Sequence, residues 1–324
     1  MNKPLFAAAL AAAVLLSACQ QSPAPENQAV DLEATKKVRI GLINQTLASL
    51  FAAQVGNGAQ RAADELGVEL VQLDSQSDEQ RMASQVQDLI AQQVDGILLM
   101  PINPNTSKAL VDSANNANIP IAATHNFVGA SPDELVEGLA FALLEDERGS
   151  SKKAAEMAIE ALPDGGKVGI ILGMAGYSEN EYRVNEFKKA IENNGKFEIV
   201  GEQAGDWTKE KGQAACQNLL AANPDIALFY AIADDMAGGC VQAVKAANSK
   251  AKVIGVGGQA IVIDEIRDGN ALGTVCYKPE NEGYEALKAL YDVVTTGKNP
   301  EQRTIYYETP AITAANVDQC DPQW

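Results

Sequence analysis

Apolar runs alternate with longer amphipathic stretches between about residue 38 and residue 296. The first run, VRIGLIN at residues 38–44, is rich in β-branched residues and predicts a strand. The stretch that follows it to Gly67 has Ala, Val and Leu at three- and four-residue spacing, which predicts a helix. The run GILLM at residues 96–100 is apolar throughout, as a parallel strand covered on both faces requires. The repeated order of strand and helix predicts an α/β protein with parallel, doubly wound sheets.

The pattern occurs twice along the chain. The charged segment EDERG at residues 145–149 ends the first series, and the run KVGIIL at residues 167–172 opens a second series. A crossing stretch at residues 272–277, a predicted helix at 282–296 and a strand-like pattern at 303–313 then follow. We therefore expect two lobes of similar plan. Ligands of such sheets bind beyond the carboxyl ends of the strands, so the loop at residues 44–50 should lie beside any site.

Residues 1–19 predict a secretory signal. Lys3 precedes an apolar run at residues 5–16 that is too short to span a bilayer. The sequence LSAC at residues 16–19 resembles the bacterial lipobox, whose cysteine becomes the lipidated first residue of the mature protein. We predict a signal peptide at residues 1–18, lipidation of Cys19 and a flexible tether at residues 19–35. An ordinary signal peptide with a chance cysteine is the alternative. The expected location is the bacterial cell envelope, on its periplasmic or extracellular face, with a lipid anchor.

The formal net charge of −18 argues against two classes of partner. An acidic surface repels the phosphates of nucleic acids and the headgroups of anionic lipids, so we expect no nucleic-acid binding and no electrostatic attachment to a membrane. Beyond residue 19 no apolar run approaches the ~18–20 residues that a membrane helix needs. Attachment to the membrane is therefore expected through the lipid alone.

Four cysteines remain when Cys19 is set aside. They are Cys216, Cys240, Cys276 and Cys320. An even number in an oxidising compartment favours two disulfides, for which three pairings are possible. We favour Cys216 with Cys240, which lie in successive predicted helices, and Cys276 with Cys320. A metal site is the alternative, but the sequence has no CxxC spacing and one histidine, so we predict neither a metal nor a cofactor.

Short motifs then point to a known family. They are NGAQRAADELG at residues 57–67, LDSQ at 73–76, NANIP at 116–120, AGYS at 175–178, QNLLAANPD at 217–225 and DDMAGG at 234–239. With these motifs the chain resembles the type I periplasmic solute-binding proteins, especially the ribose-binding group that serves sugar ABC transporters, from residue 36 to about residue 310. The resemblance implies two Rossmann-like lobes joined by three crossing segments, with ligand held between them when they close on a hinge. The lobes would be residues 36–143 with 278–305, and residues 144–277 with 306–324.

The resemblance also implies which positions contact the ligand, and at several of them this chain differs from the sugar binders. The residues at these positions are Ser49, Phe51, His125, Asn126, Glu181, Arg183, Trp207, Asp234 and Tyr277. One of two stacking phenylalanines is retained as Phe51, and the Asp–Arg pair that grips ring hydroxyls is replaced by His125 and Asn126. The carboxylate that follows the strand at residues 253–256 is replaced by Gly257.

Several of these side chains also have a structural interpretation. Phe51 and Tyr277 could fill the core. Glu181 could stabilise the start of a helix by its charge, and Asp234 could cap a helix. For Trp207, which follows Gly-Asp in a loop, lining a pocket is the better explanation of a large exposed aromatic residue.

The expected function is binding without catalysis. We predict a monomeric lipoprotein that captures a small sugar or sugar-like ligand for an ABC permease. Because the usual Asp and Arg forks are missing, a polyol, a nucleoside or a furanosyl signal is also open as the ligand. A sensory receptor for a chemoreceptor or kinase is an alternative function. An enzyme is disfavoured, since the sequence has one histidine, no GxSxG motif and no metal-ligand spacing.

Overall fold

The computed structural model describes residues 37–324, which form two lobes, each built on a six-stranded sheet with helices between its strands. The predicted signal peptide, the tether and Cys19 lie outside the described residues. The α/β fold class predicted from the alternating pattern is confirmed. None of the helices within residues 37–324 combines the length and the apolar character that crossing a membrane demands.

Strands and helices alternate as the sequence predicts, but the stretch at residues 272–277, predicted to cross between lobes, contains a strand of the second sheet, and the pattern at 303–313 forms two strands. The strands are β1 (Arg39–Asn44), β2 (Glu69–Asp74), β3 (Gly96–Leu99), β4 (Ile121–Thr124), β5 (Leu139–Glu145), β6 (Gly166–Leu172), β7 (Phe197–Ala204), β8 (Ile226–Ala231), β9 (Lys252–Ile254), β10 (Gly273–Val275), β11 (Thr304–Tyr307) and β12 (Ala311–Thr313). The helices are α1 (Leu50–Leu66), α2 (Glu79–Ala91), α3 (Lys108–Asn116), α4 (Glu147–Ala161), α5 (Ser178–Asn194), α6 (Lys209–Ala222), α7 (Asp234–Ala246), α8 (Ala260–Arg267) and α9 (Pro279–Thr296).

The two sheets share one topology. The first has the strand order β11-β5-β4-β3-β1-β2, and its neighbouring strands are parallel. The second has the order β12-β10-β9-β8-β6-β7, with its edge strand β12 antiparallel to β10. In each sheet the strand order reverses next to the first strand of the lobe. The loops after β1 and β3, and after β6 and β8, therefore flank a crevice at the carboxyl edge of each sheet.

The chain passes between the lobes three times. It leaves the first sheet after Glu145 and enters α4, which packs against β10 and β12 of the second sheet. It returns before Pro279 into α9, which packs against β3, β4 and β5 of the first sheet. After β11 it leaves again and ends in β12 and the residues beyond. The lobe boundary predicted after residue 305 falls inside β11.

The apolar runs that predicted strands form the cores. Every residue of β3, β4 and β5 is buried, and successive residues face opposite sides of the sheet, so that Leu98 and Leu99 belong to different apolar clusters. A third cluster forms the core of the second lobe and also includes Phe51 and Met100 of the first lobe. The two lobes are therefore in contact at the crevice.

Polar residues fix the starts of the helices beside the crevice. The Ser49 side chain accepts a hydrogen bond from a backbone N–H in the first turn of α1. Asp78 accepts two such bonds in the first turn of α2, as the polar turn before Glu79 predicts. These caps determine where the loops after β1 and β2 end.

Two disulfides lie in the second lobe. Cys216 and Cys240 join α6 to α7, with their Cα atoms 5.3 Å apart. Cys276 and Cys320 join the stretch after β10 to the last described residues, with their Cα atoms 6.0 Å apart. This is the pairing that the sequence favoured among the three possible ones. The second disulfide fixes residues 320–324 beside the crevice between the lobes.

Candidate functional site

A cleft of about 420 Å³ lies between the lobes, at the carboxyl ends of the strands of both sheets. Its volume is in the range of sites for small molecules. The first lobe contributes the loop after β1, the start of α1 and the end of β4, and the second lobe contributes the loops after β6, β7, β8 and β9. The side chains that determine its chemistry are Gln45, Ser49, Phe51, His125, Tyr177, Glu179, Arg183, Trp207, Asp235, Gln259, Tyr277 and Trp324.

Aromatic rings form much of the wall. Phe51 lies at the start of α1, with its ring centroid 4.6 Å from that of His125 and 5.1 Å from that of Trp324. Tyr177 and Trp207 form a second, edge-to-face pair at 6.0 Å. Such rings offer apolar faces on which a ligand ring can stack. The indole Nε1 of Trp207 is buried and has no hydrogen-bond partner in the described part of the chain, so it is an unsatisfied donor.

His125 connects the cleft to a buried carboxylate. Its backbone is in the left-handed region, with a φ of 67°, which turns the side chain out of β4. Its Nδ1 lies 2.9 Å from Oε1 of Glu145, and its Nε2 lies 3.9 Å from Oε1 of Glu179 in the other lobe. Burial alone would lower the pKa of His125. The charge and the hydrogen bond of the Glu145 carboxylate outweigh this effect, and the pKa rises from 6.5 to about 10. The imidazole is therefore a cation at neutral pH, and both of its nitrogens are donors.

A second buried acid, Glu282 of α9, lies behind His125. Its Oε1 accepts a hydrogen bond of 2.6 Å from the Thr124 hydroxyl. Burial, and then the negative charge of Glu145, raise its pKa well above the usual range of a glutamate. Among the described residues, His125, Glu145 and Glu282 also form a group whose ligand atoms lie within 4.8 Å of one another, as a metal site would require. Oε2 of Glu145 and Oε2 of Glu282 are buried with no hydrogen-bond partner among the described residues, and a proton on Glu282 would let one oxygen donate to the other.

Arg183 is held rigidly from the side of the second lobe. Its Nε and Nη2 form a forked ion pair with the Glu147 carboxylate, and its Nη1 donates to the carbonyl of Ile232 at 2.7 Å. The Tyr277 hydroxyl donates to the same carboxylate at 2.8 Å, and the Arg183 guanidinium lies 5.3 Å from the centroid of the Tyr277 ring. Because α4 begins at Glu147, this network ties the first crossing segment to the floor of the cleft.

The structure brings six of the residues predicted from the resemblance to the wall of the cleft. They are Ser49, Phe51, His125, Arg183, Trp207 and Tyr277. It places three others elsewhere. Asn126 is buried, donates to the carbonyl of Pro101 and borders neighbouring cavities, while Glu181 lines an outer cavity. Asp234 is fully buried behind the wall.

Both carboxylate oxygens of Asp234 accept hydrogen bonds from other protein groups. Its Oδ1 accepts a bond of 2.7 Å from the Thr274 hydroxyl, and its Oδ2 accepts one of 2.8 Å from the backbone N–H of Gln259. Burial raises its pKa to about 7, although these donors lower it. The next residue, Asp235, is the one that lines the cleft, where it accepts a bond of 2.9 Å from the Gln259 side chain.

Of the side chains of the wall named above, sequence reasoning missed six: Gln45, Tyr177, Glu179, Asp235, Gln259 and Trp324. Glu179 and Asp235 lie within two residues of predicted contacts, and each helical residue turns the side chain by about 100°. Tyr177 is part of the AGYS motif, which indicates the family but not which of its side chains faces the cleft. Trp324 is far along the chain from the other contacts, and its only signal was the cysteine at position 320. Its ring lies against Gly257, the position at which the resemblance implied a missing carboxylate.

Comparisons with known proteins agree with this architecture. Residues 40–299 match the model of the family described as periplasmic binding protein domain. The ribose import binding protein RbsB of Haemophilus influenzae is 34% identical over 255 residues, covering 78% of this chain and 84% of the relative. The protein of the same name from Escherichia coli is 32% identical over 278 residues, covering 85% of this chain and 90% of the relative.

A solved structure has the same fold. The periplasmic solute-binding protein of an ABC transporter from Actinobacillus succinogenes, determined with bound D-allose, has a TM-score of 0.79 and 23% sequence identity. The alignment covers 87% of this chain and 100% of the Actinobacillus succinogenes chain. The family model spans most of the described residues, and the two curated relatives exceed 30% identity over most of their length. The chain therefore belongs to the periplasmic binding protein domain family.

Proposed function

We propose that this protein is the solute-binding component of an ABC importer and captures a sugar or sugar-like compound between its two lobes. The observation that carries the proposal is the cleft itself, whose wall combines aromatic faces with polar groups that other protein groups hold in place. Recognition of a polyhydroxylated ring needs both, because its C–H faces stack on aromatic rings and its hydroxyls need hydrogen-bond partners.

The polar groups of the cleft suit hydroxyls. The protonated His125 and the Arg183 guanidinium are donors, and the Glu179 and Asp235 carboxylates are acceptors. Charged partners form hydrogen bonds that are stronger than neutral ones. We therefore assign ligand contact to these four residues together with Ser49, Phe51, Trp207 and Tyr277. His125 and Arg183 stand at positions that the resemblance implied, whereas Glu179 and Asp235 do not.

The names of the relatives support the biological setting. The curated relatives are described as ribose import binding proteins, and the solved structure as part of an ABC transporter. They are described as binding proteins, which supports a role in binding without catalysis. We further propose that Cys19 carries a lipid that anchors the mature protein at the outer face of a cell membrane, since LSAC matches a lipobox. Metabolic labelling with a palmitate analogue tests this, because Cys19→Ala should abolish the label.

Binding is tested by thermal unfolding and by intrinsic fluorescence with D-ribose, D-allose, other pentoses and hexoses, polyols, nucleosides and furanosyl compounds. A compound that binds only the folded protein stabilises it by about 2.7 kcal/mol at a hundredfold excess over its Kd. We expect at least one sugar or polyol to raise the Tm, and Trp207→Ala to weaken that effect. Absence of any shift across the whole panel would contradict the proposed ligand class.

A further inference from the structure

Residues 320–324 are fixed at the edge of the cleft by contacts with three elements. Cys320 forms a disulfide with Cys276, next to Tyr277. The Gln323 side chain accepts a hydrogen bond of 2.8 Å from the backbone N–H of Glu280 at the start of α9. The carbonyl of Trp324 accepts a bond of 3.3 Å from the backbone N–H of Ala260 at the start of α8. The segment therefore has a defined path to the cleft.

The indole of Trp324 bridges the two lobes. Its Nε1 donates to the carbonyl of Gly257 at 3.2 Å, in the second lobe. Its ring meets the Phe51 ring of the first lobe edge to face, with the centroids 5.1 Å apart. It also lines the cleft. Because the indole has one N–H donor and no acceptor, the bond to Gly257 leaves only the apolar surface of the ring for a ligand.

Gly257 makes this position possible. It lies three residues after Ile254, where β9 ends, and has a φ of +146°, which an L side chain rarely adopts. A Cβ atom at this position would lie 3.3 Å from the Trp324 ring and 3.4 Å from the Asp234 carboxyl carbon. A larger side chain would therefore occupy the volume of the indole. The Trp324 ring therefore lies against the backbone of Gly257, in the space that a side chain in the loop after β9 would otherwise fill.

We propose that Trp324 is a specificity-determining residue of the binding cleft and that the Cys276–Cys320 disulfide positions it there. The inference rests on the proposed function and makes its ligand class more specific. The ligand presents an apolar ring face to Trp324 and Phe51, and its hydroxyls to the charged groups of the wall. Trp207, the other indole of the wall, keeps its Nε1 buried and unpartnered among the described residues.

The first experiment measures affinity. The Kd of D-ribose, D-allose, L-arabinose and xylitol is determined by calorimetry for the wild type, Trp324→Ala and Trp324→Phe. For the compound that binds the wild type, we expect Trp324→Ala to raise the Kd about tenfold, and Trp324→Phe, which keeps an aromatic face, to raise it by no more than about threefold. An unchanged Kd in Trp324→Ala would overturn the proposal.

The second experiment compares the two disulfides. Removing the disulfide at the cleft, in Cys276→Ala with Cys320→Ala, should raise the Kd about as much as Trp324→Ala does. The matched control is Cys216→Ala with Cys240→Ala, which removes a disulfide between α6 and α7 of the same lobe. The control should lower the Tm and leave the Kd unchanged. Equal effects of the two pairs on the Kd would contradict a positioning role for Cys276 and Cys320.

A spectroscopic readout separates failure of this inference from failure of the proposed function. The sequence has two tryptophans, Trp207 and Trp324, so Trp207→Phe leaves Trp324 as the single indole. In that background, removal of the Cys276–Cys320 disulfide should shift the emission to the red and increase quenching by acrylamide, whereas removal of Cys216–Cys240 should not. This result decides the placement of Trp324 even if no sugar binds the wild type. If a sugar binds and the Trp324 emission does not respond to it, the specificity role is wrong while the proposed function stands.

Discussion

At neutral pH His125 is a cation because its surroundings raise its proton affinity. The Glu145 carboxylate lies 2.9 Å from Nδ1, and the Glu179 carboxylate adds further negative potential. Burial opposes the charge, but the neighbouring carboxylates outweigh it. A single histidine among carboxylates is thus a permanent donor at the cleft, where an ordinary histidine would be mostly neutral.

The free energy of unfolding should therefore depend on pH through His125. Its pKa is raised from 6.5 to about 10 on folding, so the folded state binds the proton more tightly. The stabilisation is fully present below pH 6.5 and is lost as the pH rises toward 10, by on the order of a few kcal/mol. Denaturant unfolding between pH 6 and pH 10 measures this loss.

His125→Gln serves as the control for that pH dependence. The variant keeps a donor but has no charge, so it leaves Glu145 buried without a cation and should be less stable than the wild type at pH 6. The difference between the two proteins should shrink as the pH approaches 10. A constant difference over the whole range would show that His125 is neutral in the folded protein.

At the scale of elements, the contact between α1 and α9 depends on two glycines. A Cβ atom on Gly58 would lie 1.7 Å from the carbonyl oxygen of Glu280, and one on Gly283 would lie 1.8 Å from that of Val55. Each glycine thus lets the backbone of the other helix approach. The contact has a functional consequence, since α1 begins beside Phe51 and α9 begins directly after a crossing segment.

Gly283→Ala and Gly58→Ala should each destabilise the protein by about 1–3 kcal/mol, because a methyl group against the backbone of the other helix forces the two helices apart. The matched control is Gly56→Ala, also in α1. Its Cβ would meet the far end of the Gln72 side chain, which can move away. Since alanine favours a helix by about 1 kcal/mol over glycine, this variant should be nearly neutral. Chemical denaturation of the three variants checks the order, and an equally large loss in Gly56→Ala would contradict the packing explanation.

The elements were predictable from the sequence because each one repeats a local pattern. The buried runs at β3 and β6 and the caps at Ser49 and Asp78 need no information from distant residues. The site was less predictable. Glu179 and Asp235 replace their neighbours at the wall because the first turn of a helix decides which side chain faces inward, and a shift of one or two residues changes it.

Two features depend on contacts between distant parts of the chain and gave no local signal. Glu145, at the end of β5, and Glu282, in the first turn of α9, meet although 137 positions separate them, and nothing in the sequence near either residue indicates a buried carboxyl pair. Trp324 reaches the cleft through a disulfide to Cys276 and through a glycine at position 257. Resemblance to a family indicates positions that its members share, and Trp324 is outside the range of that resemblance.

At the scale of the whole molecule, the lobes touch through side chains that are not part of the cleft wall. Tyr182 of α5 reaches from the second lobe to the first, where it packs against an apolar cluster and lies edge to face with Phe127 at 6.0 Å. The guanidinium of Arg148, near the first crossing, lies 4.9 Å from the centroid of the Tyr182 ring. The same guanidinium forms an ion pair with Asp133 of the first lobe. These contacts exist only while the lobes are close together.

Tyr182→Ala should therefore weaken binding without removing a ligand contact, because the apparent affinity falls with the fraction of molecules whose lobes are closed. Loss of one aromatic pair is worth about 0.5–1.5 kcal/mol, so the Kd should rise by up to about tenfold. Small-angle scattering of the ligand-free variant should give a larger radius of gyration than the wild type, and saturating ligand should remove the difference. The control is Tyr284→Ala, whose ring contacts Arg61 and Lys288 within the first lobe and should change neither quantity. If Tyr182→Ala raised the Kd with no change in radius, Tyr182 would act within the site and not on the equilibrium between open and closed lobes.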